Sequence, residues 1–220
     1  MTFFRIHLLK SLCVYGGKYK VLQIDISPYD REKIDECLLG IGRKKTYEEI
    51  FYDMCFCLCA PQTTFKSNRK VLNRLMKMSF YVKDYSLSVI VDAVKEARFK
   101  NNKARYLTEA KKKFPAIIDL LEDEYLPVVK KRAFLVEEIA GFGMKSASHF
   151  LRNCGDQELA IIDTHILKFL EAPLPSTKKK YELLEIMFTS AAKEYELTPA
   201  GLDAYIWKYF SKTPWEEFNW

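Results

Sequence analysis

The sequence lacks any apolar run of the roughly 20 residues that a membrane-spanning helix needs. Its first twelve residues include the charged side chains Arg5 and Lys10 and lack the cleavage pattern of a secretory signal peptide. It also lacks internal repeats and low-complexity segments. We therefore expect a soluble, intracellular protein that has no membrane partner.

The six cysteines lack the spacing of a metal site or of a disulfide framework. Three of them are isolated in the sequence. The other three, Cys55, Cys57 and Cys59, alternate inside an apolar segment, 50–60, that is typical of a helix. On a helix the middle cysteine points away from the face that its two neighbours share. We interpret all three as small buried hydrophobic side chains, and we expect neither a metal bound by side chains nor a cofactor.

The composition is that of a folded protein with a moderate excess of basic residues. A length of 220 residues suits one large domain or two small ones, and a hydrophobic fraction of 49% argues against disorder. The net charge of +6 is compatible with nucleic-acid binding without requiring it. Basic clusters occur at 43–45, 111–113, 130–132 and 178–180. Each cluster alone is more typical of a solvated face than of a DNA contact.

Hydrophobic periodicity and capping signals predict a mainly helical chain. A capping box from Thr46 to Glu49 begins one helix, and Pro61 ends it. Thr198 and Pro199 begin the last helix. A β-like stretch over 19–26 precedes the first helix as a small hairpin or an extended arm. The helices are predicted near 28–39, 47–60, 67–79, 86–97, 101–113, 124–139, 144–153, 164–171, 178–195 and 199–211.

The most informative segment is 139–147, where two glycines, Gly141 and Gly143, stand one residue apart between two helical patterns. Glycine tolerates positive φ and lets a partner approach the backbone closely, so this spacing predicts a sharp hairpin. The first N–H groups of the second helix then point outward at its positive dipole end, which can bind a phosphate. Lys145 lies in the first turn of that helix, where it can act as a nucleophile.

An acidic residue, Asp163, follows Lys145 by eighteen positions, directly before Thr164 and His165. Taken singly, each feature has an ordinary explanation. Most Gly-x-Gly turns are only turns, an isolated lysine is a solvated residue, and Asp163 is a good N-cap by residue type. The combination of hairpin, lysine and acid favours a catalytic pair.

The hairpin, Lys145 and Asp163 together resemble the helix-hairpin-helix superfamily of DNA glycosylases with lyase activity. Within it, the segments 60–63, 141–153 and 202–207 are similar to the compact archaeal-type 8-oxoguanine DNA glycosylase/AP lyases. Many members of the superfamily hold a four-iron cluster on four closely spaced cysteines near the C-terminus. No cysteine follows Cys154, so the sequence lacks that cluster.

The resemblance implies a two-lobed, mainly all-α fold with a cleft between the lobes, together with a short N-terminal β segment. Residues 46–158 would form a six-helix bundle that ends in the helix-hairpin-helix. Residues 1–45 and 159–220 would form the second helical lobe. Duplex DNA would lie against the mouth of the cleft.

The resemblance also implies roles for particular residues. Lys145 and Asp163 would be catalytic, and Gln62 would fill the gap that an extruded base leaves in the duplex. Trp207 would stack on the damaged base, and Trp220 would contribute to its recognition. The family also uses its terminal carboxylate, but the end of this chain, 213–220, is longer and more aromatic than the family pattern, which leaves the reach of that carboxylate open. The DNA-binding hairpin would comprise Gly141, Phe142, Gly143, Met144 and Ser146. The backbone carbonyls of Glu137, Ile139 and Phe142 would hold a monovalent cation beside the phosphate.

A further segment, 101–106, is similar to another signature of the same family. Its alternative explanation is a helix start that Asn101 or Asn102 caps.

The implied function is base-excision repair of DNA. The enzyme would remove 8-oxoguanine from duplex DNA through a lysine Schiff base, nick the strand by β-elimination and act as a monomer. Two alternatives stay open. One is a related glycosylase/lyase for oxidised pyrimidines, and the other is a helix-hairpin-helix module that binds DNA without catalysis.

Overall fold

The computed structural model describes residues 12–14, 17–19 and 21–217 of the chain. Within these residues it contains two short strands, ten α-helices and a final turn of 3-10 helix. The predicted, mainly all-α fold is confirmed. The elements are β1 (Leu12–Val14), β2 (Gly17–Tyr19), α1 (Pro28–Gly42), α2 (Tyr47–Cys59), α3 (Phe65–Lys77), α4 (Leu87–Ala93), α5 (Lys100–Glu122), α6 (Val128–Glu138), α7 (Met144–Asn153), α8 (Thr164–Phe169), α9 (Lys178–Glu194), α10 (Pro199–Ser211) and the 3-10 turn Trp215–Glu217.

The N-terminal β-structure lies earlier in the chain than predicted. Strands β1 and β2 pair antiparallel with Leu12 opposite Tyr19, whereas residues 21–27 have no regular secondary structure. Of the two forms predicted for 19–26, the hairpin is wrong for this stretch, because the strands end at Tyr19 and residues 21–27 form an irregular arm. Helices satisfy its backbone instead, because Leu22 N–H donates to the carbonyl of Phe169 at 2.8 Å. The hydroxyl of Tyr205 likewise donates to the carbonyl of Asp25 at 2.7 Å.

The predicted capping signals form as the sequence indicates. Thr46 and Glu49 make both bonds of a capping box, with Thr46 N–H donating to the Glu49 carboxylate at 2.8 Å and Glu49 N–H donating to Thr46 Oγ1 at 3.3 Å. Thr198 caps α10, since its hydroxyl accepts the N–H of Gly201 at 3.1 Å. Both caps are local, which explains why they can be recognised from a few residues.

Helix α5 differs most from its prediction. It ends at Glu122, beyond the predicted end near residue 113, and it contains Pro115. Burial of Ile117 and Ile118 offsets the hydrogen bond that proline removes. At the other end the N-cap is Phe99, in the left-handed conformation with φ 59°. The alternative that an asparagine at position 101 or 102 caps this helix is therefore wrong, because both lie inside it.

Residues 39–161 form one compact unit that contains α2 to α7. Helix α2 packs against α3, α5 and α7, so side chains on several of its faces are buried. This confirms the interpretation of Cys55, Cys57 and Cys59, which are all buried. Burial raises the pKa of the Cys59 thiol to about 12 and raises the pKa of the other two thiols well above their ordinary value.

The second unit combines the described residues up to Leu38 with those from Ile162 onward. Within it α10 packs against α8 and α9. The buried Trp215 donates its indole N–H to the Asp30 carboxylate at 2.8 Å, and Lys208 Nζ donates to the same oxygen at 2.9 Å. None of the helices described is long and apolar enough to cross a membrane.

Candidate functional site

The hairpin between α6 and α7 has the predicted sharp turn. Phe142 N–H donates to the carbonyl of Ile139 at 3.0 Å, and Gly141 between them has φ +96°. A Cβ at Gly141 would lie 2.5 Å from Cδ2 of Tyr106, closer than any real contact. Glycine is therefore required here twice, by backbone conformation and by the neighbouring ring.

Gly143 serves a different purpose. Its φ of −113° and ψ of 179° are extended values that any residue adopts, and a Cβ there would have no atom within 4 Å. The backbone at this exposed glycine faces open space, into which a ligand can approach closely. Gly143 also precedes α7 as its N-cap, and its N–H donates to Ser146 Oγ at 2.9 Å.

The start of α7 presents backbone N–H groups rather than side chains. The N–H groups of Met144, Lys145 and Ser146 lie in the first turn, where an α-helix supplies no acceptor for them. The side chains beside them have structural roles. The Ser146 hydroxyl accepts the N–H of Gly143 and donates to its carbonyl. The buried Phe142 ring stacks on Phe150, with ring centroids 5.7 Å apart. An anion at this helix end would therefore meet mainly the main chain and the positive dipole end.

Lys145 is exposed on the first turn of α7, and among the described residues its amine makes no hydrogen bond or ion pair. His149 lies one turn further along and packs edge-on against Phe56, with ring centroids 6.0 Å apart. Burial lowers the pKa of His149 well below its ordinary value, and the charges of Arg152 and Lys145 lower it further. The lysine therefore has a neutral histidine as its neighbour along the helix.

Asp163 is the N-cap of α8 and uses only one of its oxygens for that purpose. Its Oδ1 accepts the N–H of His165 at 2.7 Å and that of Ile166 at 3.0 Å. The side chain is partly exposed, and Oδ2 accepts no hydrogen bond from the residues that the structure describes. The carboxylate therefore has both a structural oxygen and an oxygen available for chemistry.

Gln62 is exposed in the loop between α2 and α3 and has a left-handed φ of 55°. Non-glycine residues seldom adopt this conformation unless their surroundings fix it. Gln62 is the third residue of a turn that Thr63 N–H closes by donating to Ala60 O at 3.0 Å. Lys103 braces this turn, since its amine donates to Cys59 O at 2.6 Å, to Pro61 O at 2.8 Å and to Thr63 Oγ1 at 2.6 Å. The sequence places Lys103 in the signature segment 101–106, but no role was predicted for it. The available signal was a lysine in register with the apolar positions Leu107 and Ala110 of α5.

The residues predicted for base recognition lie at the C-terminal end of the chain. Trp207 is half-buried on α10, directly after the buried Ile206. Trp220 lies outside the described residues. The tryptophan between them, Trp215, belongs to the core around Ile34 and is therefore not available to stack on a base.

Of the carbonyls predicted to hold a monovalent cation, that of Glu137 is in the last turn of α6, that of Ile139 is at its C-cap, and that of Phe142 is in the hairpin. Carbonyls in the last turn of a helix lack intrahelical partners, which suits them for such a role. The Ile139 carbonyl already accepts the N–H of Phe142 and has one lone pair left for an ion. The cation stays a prediction.

Known proteins share this architecture and sequence. A family model described as 8-oxoguanine DNA glycosylase matches residues 32–197. The chain belongs to the 8-oxoguanine DNA glycosylase family. The family resemblance inferred from the hairpin is confirmed.

Relatives within the 8-oxoguanine DNA glycosylase family match along most of their length. The 8-oxoguanine DNA glycosylase/AP lyase of Thermoplasma volcanium is 34% identical over 171 residues, which are 74% of this chain and 81% of the relative. That of Metallosphaera sedula is 35% identical over 183 residues, 80% of this chain and 88% of the relative.

Solved structures agree with the sequence relatives. The crystal structure of the Methanocaldococcus jannaschii 8-oxoguanine DNA glycosylase has a TM-score of 0.74 and 29% identity, covering 83% of this chain and 88% of that one. The same enzyme in complex with a 15mer DNA containing 8-oxoguanine has a TM-score of 0.74 and 28% identity, covering 83% of this chain and 91% of that chain.

Proposed function

We propose that this chain excises 8-oxoguanine from duplex DNA and then cleaves the strand at the resulting abasic site. As a family member it is a bifunctional DNA glycosylase/AP lyase of base-excision repair. The observation that carries the proposal is the hairpin at Gly141 and Gly143, which leads into a helix end with outward N–H groups and an exposed lysine. This arrangement brings a backbone phosphate and an amine nucleophile to the same helical turn.

The first step is binding and extrusion of the damaged nucleotide. A base stacked inside a duplex hides its anomeric carbon, so the nucleotide must be flipped out at a cost of a few kcal/mol. The N–H groups after Gly143 hold the phosphate backbone without reading sequence. Gln62 enters the gap in the duplex, and the Trp207 ring stacks on the extruded base, whose recognition Trp220 completes.

The second step is chemical. The neutral amine of Lys145 attacks C1′, and the base leaves with the electron pair of its glycosidic bond and takes up a proton. Asp163 stabilises the positive charge that develops on the sugar and accepts a proton from the lysine. The sugar ring then opens to give a Schiff base on Lys145. Loss of a proton from C2′ eliminates the 3′-phosphate and nicks the strand.

We further propose that the enzyme works as a monomer, inside the cell with the DNA. Of the two alternatives, a non-catalytic module needs the glycines of the hairpin but neither Lys145 nor Asp163. A glycosylase/lyase for oxidised pyrimidines would use the same lysine on a different base. Family membership favours oxidised guanine over both.

Borohydride trapping tests the proposal directly, because only a Schiff base becomes covalently fixed to DNA. Wild-type protein should form a trapped complex on duplexes that contain 8-oxoguanine and little on those that contain oxidised pyrimidines. Lys145→Gln should abolish base release and trapping while DNA affinity stays within several-fold, since backbone amides make the phosphate contacts. Strand cleavage by purified Lys145→Gln protein would contradict the assignment of the nucleophile.

A further inference from the structure

Lys103 is a buried lysine outside the residues assigned to catalysis and DNA binding. Only 4% of its surface is exposed, although it lies on the first turn of α5. Burial of an ammonium group is costly unless hydrogen bonds replace its lost water. Its three N–H donors have three acceptors, which are two backbone carbonyls and one hydroxyl. No carboxylate lies among them, so the amine serves geometry rather than charge neutralisation.

The three acceptors of Lys103 flank Gln62 on both sides. Cys59 and Pro61 precede it and Thr63 follows it, so the amine fastens the loop at its two ends. The Thr63 hydroxyl also accepts the N–H of Arg98 at 3.3 Å, which ties the loop to the segment before α5. Gln62 itself is exposed, in a left-handed turn that the bond from Thr63 N–H to Ala60 O closes and that the bonds of Lys103 brace from the protein side.

The same helix supports the hairpin. Tyr106, three residues after Lys103, lies against Gly141, so a single turn of α5 contacts both the Gln62 loop and the helix-hairpin-helix. All of these residues belong to one compact unit, 39–161. Helix α5 therefore links the Gln62 loop to the hairpin, in addition to the direct packing of α2 on α7.

We propose that Lys103 is a positioning residue that fixes Gln62 for insertion into the duplex, and so sets how efficiently the damaged nucleotide is extruded. This inference rests on the proposed function of the chain. Without the amine, the loop loses three hydrogen bonds and Gln62 samples other conformations. Extrusion of a paired base then becomes harder, whereas attack on an abasic site, which has no base to extrude, is little affected.

Lys103→Met keeps the length of the side chain and removes the donors. We expect release of 8-oxoguanine under single-turnover conditions to slow at least tenfold, while cleavage of preformed abasic sites stays within threefold. Lys112→Met, on the exposed face of the same helix, is the matched control and should leave both rates unchanged. An equal loss on both substrates would mean that Lys103 only maintains the fold, and would overturn the proposal.

A double-mutant cycle shows whether Lys103 acts through Gln62. If it does, Lys103→Met combined with Gln62→Ala should release 8-oxoguanine no more slowly than the slower single variant, whereas independent roles would multiply the two losses of rate.

Should Lys103→Met fail to fold, a second pair of variants tests the same contact, since Thr63→Val removes one hydrogen-bond acceptor and Thr63→Ser retains it. Selective loss of base release in Thr63→Val, but not in Thr63→Ser, supports the proposal, and equal behaviour overturns it. Absence of 8-oxoguanine release by wild-type protein would instead defeat the proposed function.

Discussion

The ring of Tyr106 occupies the space that a methyl group on Gly141 would need, with Cδ2 only 2.5 Å from the Cβ position. A residue on the long helix α5 thus sets the closeness of the hairpin turn. The second glycine, Gly143, has open space at the corresponding position. The fold therefore requires a glycine at position 141 but not at position 143, where we predict that DNA approaches.

Substitution of each glycine by alanine should separate the requirement of the fold from that of DNA binding. Gly141→Ala forces a side chain into a left-handed backbone and into the Tyr106 ring, so we expect a loss of roughly 2–4 kcal/mol in the free energy of unfolding. Gly143→Ala should cost less than about 1 kcal/mol, as an N-cap change. It should nevertheless weaken binding to duplex DNA at least tenfold, since its methyl group enters the space of the phosphate backbone.

Urea unfolding and fluorescence anisotropy with labelled duplex measure the two effects. Gly40→Ala is the matched control, because a Cβ there also has no atom within 4 Å and the residue lies on α1, away from the hairpin in sequence. If Gly143→Ala binds DNA as tightly as Gly40→Ala does, no ligand approaches that glycine.

Asp163→Asn should retain the cap and lose the chemistry. An asparagine Oδ1 can still accept the N–H groups of His165 and Ile166, and asparagine caps helices about as well as aspartate. We expect thermal stability to change little and base release to fall by about a hundredfold or more, as for loss of an acid–base group. Asp163→Ala should lose the same activity and also about 1 kcal/mol of stability. Normal turnover by the asparagine variant would show that Asp163 is only a cap.

Trp207→Ala tests the stacking platform. Stacking of a base on an aromatic ring contributes roughly 1–3 kcal/mol and favours every base alike. Processing of 8-oxoguanine should therefore weaken by about tenfold or more, while no activity on undamaged guanine appears. Trp207→Phe should recover most of the rate. Single-turnover kinetics on both duplexes gives the answer, and new activity on guanine would show that Trp207 selects the lesion.

Asp30 predicts a dependence of stability on pH. Burial opposes its charge, but hydrogen bonds from Ser27, Lys208 and Trp215 outweigh burial and lower the pKa of Asp30 from 3.8 to about 2. Because the pKa of Asp30 is lower in the folded state, its charge stabilises the fold above about pH 4, and this stabilisation is lost as the pH falls through about 2.

Asp30→Asn should therefore lower the free energy of unfolding by about 1–2 kcal/mol at pH 7. The difference in the free energy of unfolding between Asp30→Asn and wild type should shrink as the pH approaches 2. Asp35→Asn, exposed on the same helix, is the control and should change stability little at either pH. Urea unfolding at both pH values decides the matter. A difference that stays constant with pH would show that the charge of Asp30 is not its source.

Local signals made much of the fold predictable. The caps at Thr46 and Thr198 act within three residues, so a short stretch of sequence contains all of their chemistry. The length of α5 was not predictable in this way, and the sequence did not decide between a hairpin and an arm for the stretch before α1. Both depend on packing against elements distant in the chain, and such burial overrides local propensity.

In the candidate site, too, the residues with a local sequence signal were predicted, and a role that depends on distant contacts was not. Lys145 and Asp163 were found because a glycine hairpin and a fixed interval identify them, and their catalytic roles stay predictions. Lys103 lies in the signature segment 101–106, but its role was not predicted, since a lysine in a sequence ordinarily indicates a solvated surface. Only the fold shows that three acceptors from a loop some forty residues earlier surround its amine.

The buried cysteines of α2 affect how readily the protein itself is oxidised under oxidative stress, the condition that produces oxidised guanine. Peroxides react with the thiolate form of cysteine, and a raised pKa keeps a thiol protonated. Cys59, with a pKa of about 12, and its neighbours Cys55 and Cys57 are therefore poor targets for sulfenic acid formation. Burial in the helical bundle therefore protects the thiols of this repair enzyme from the same oxidants that damage guanine.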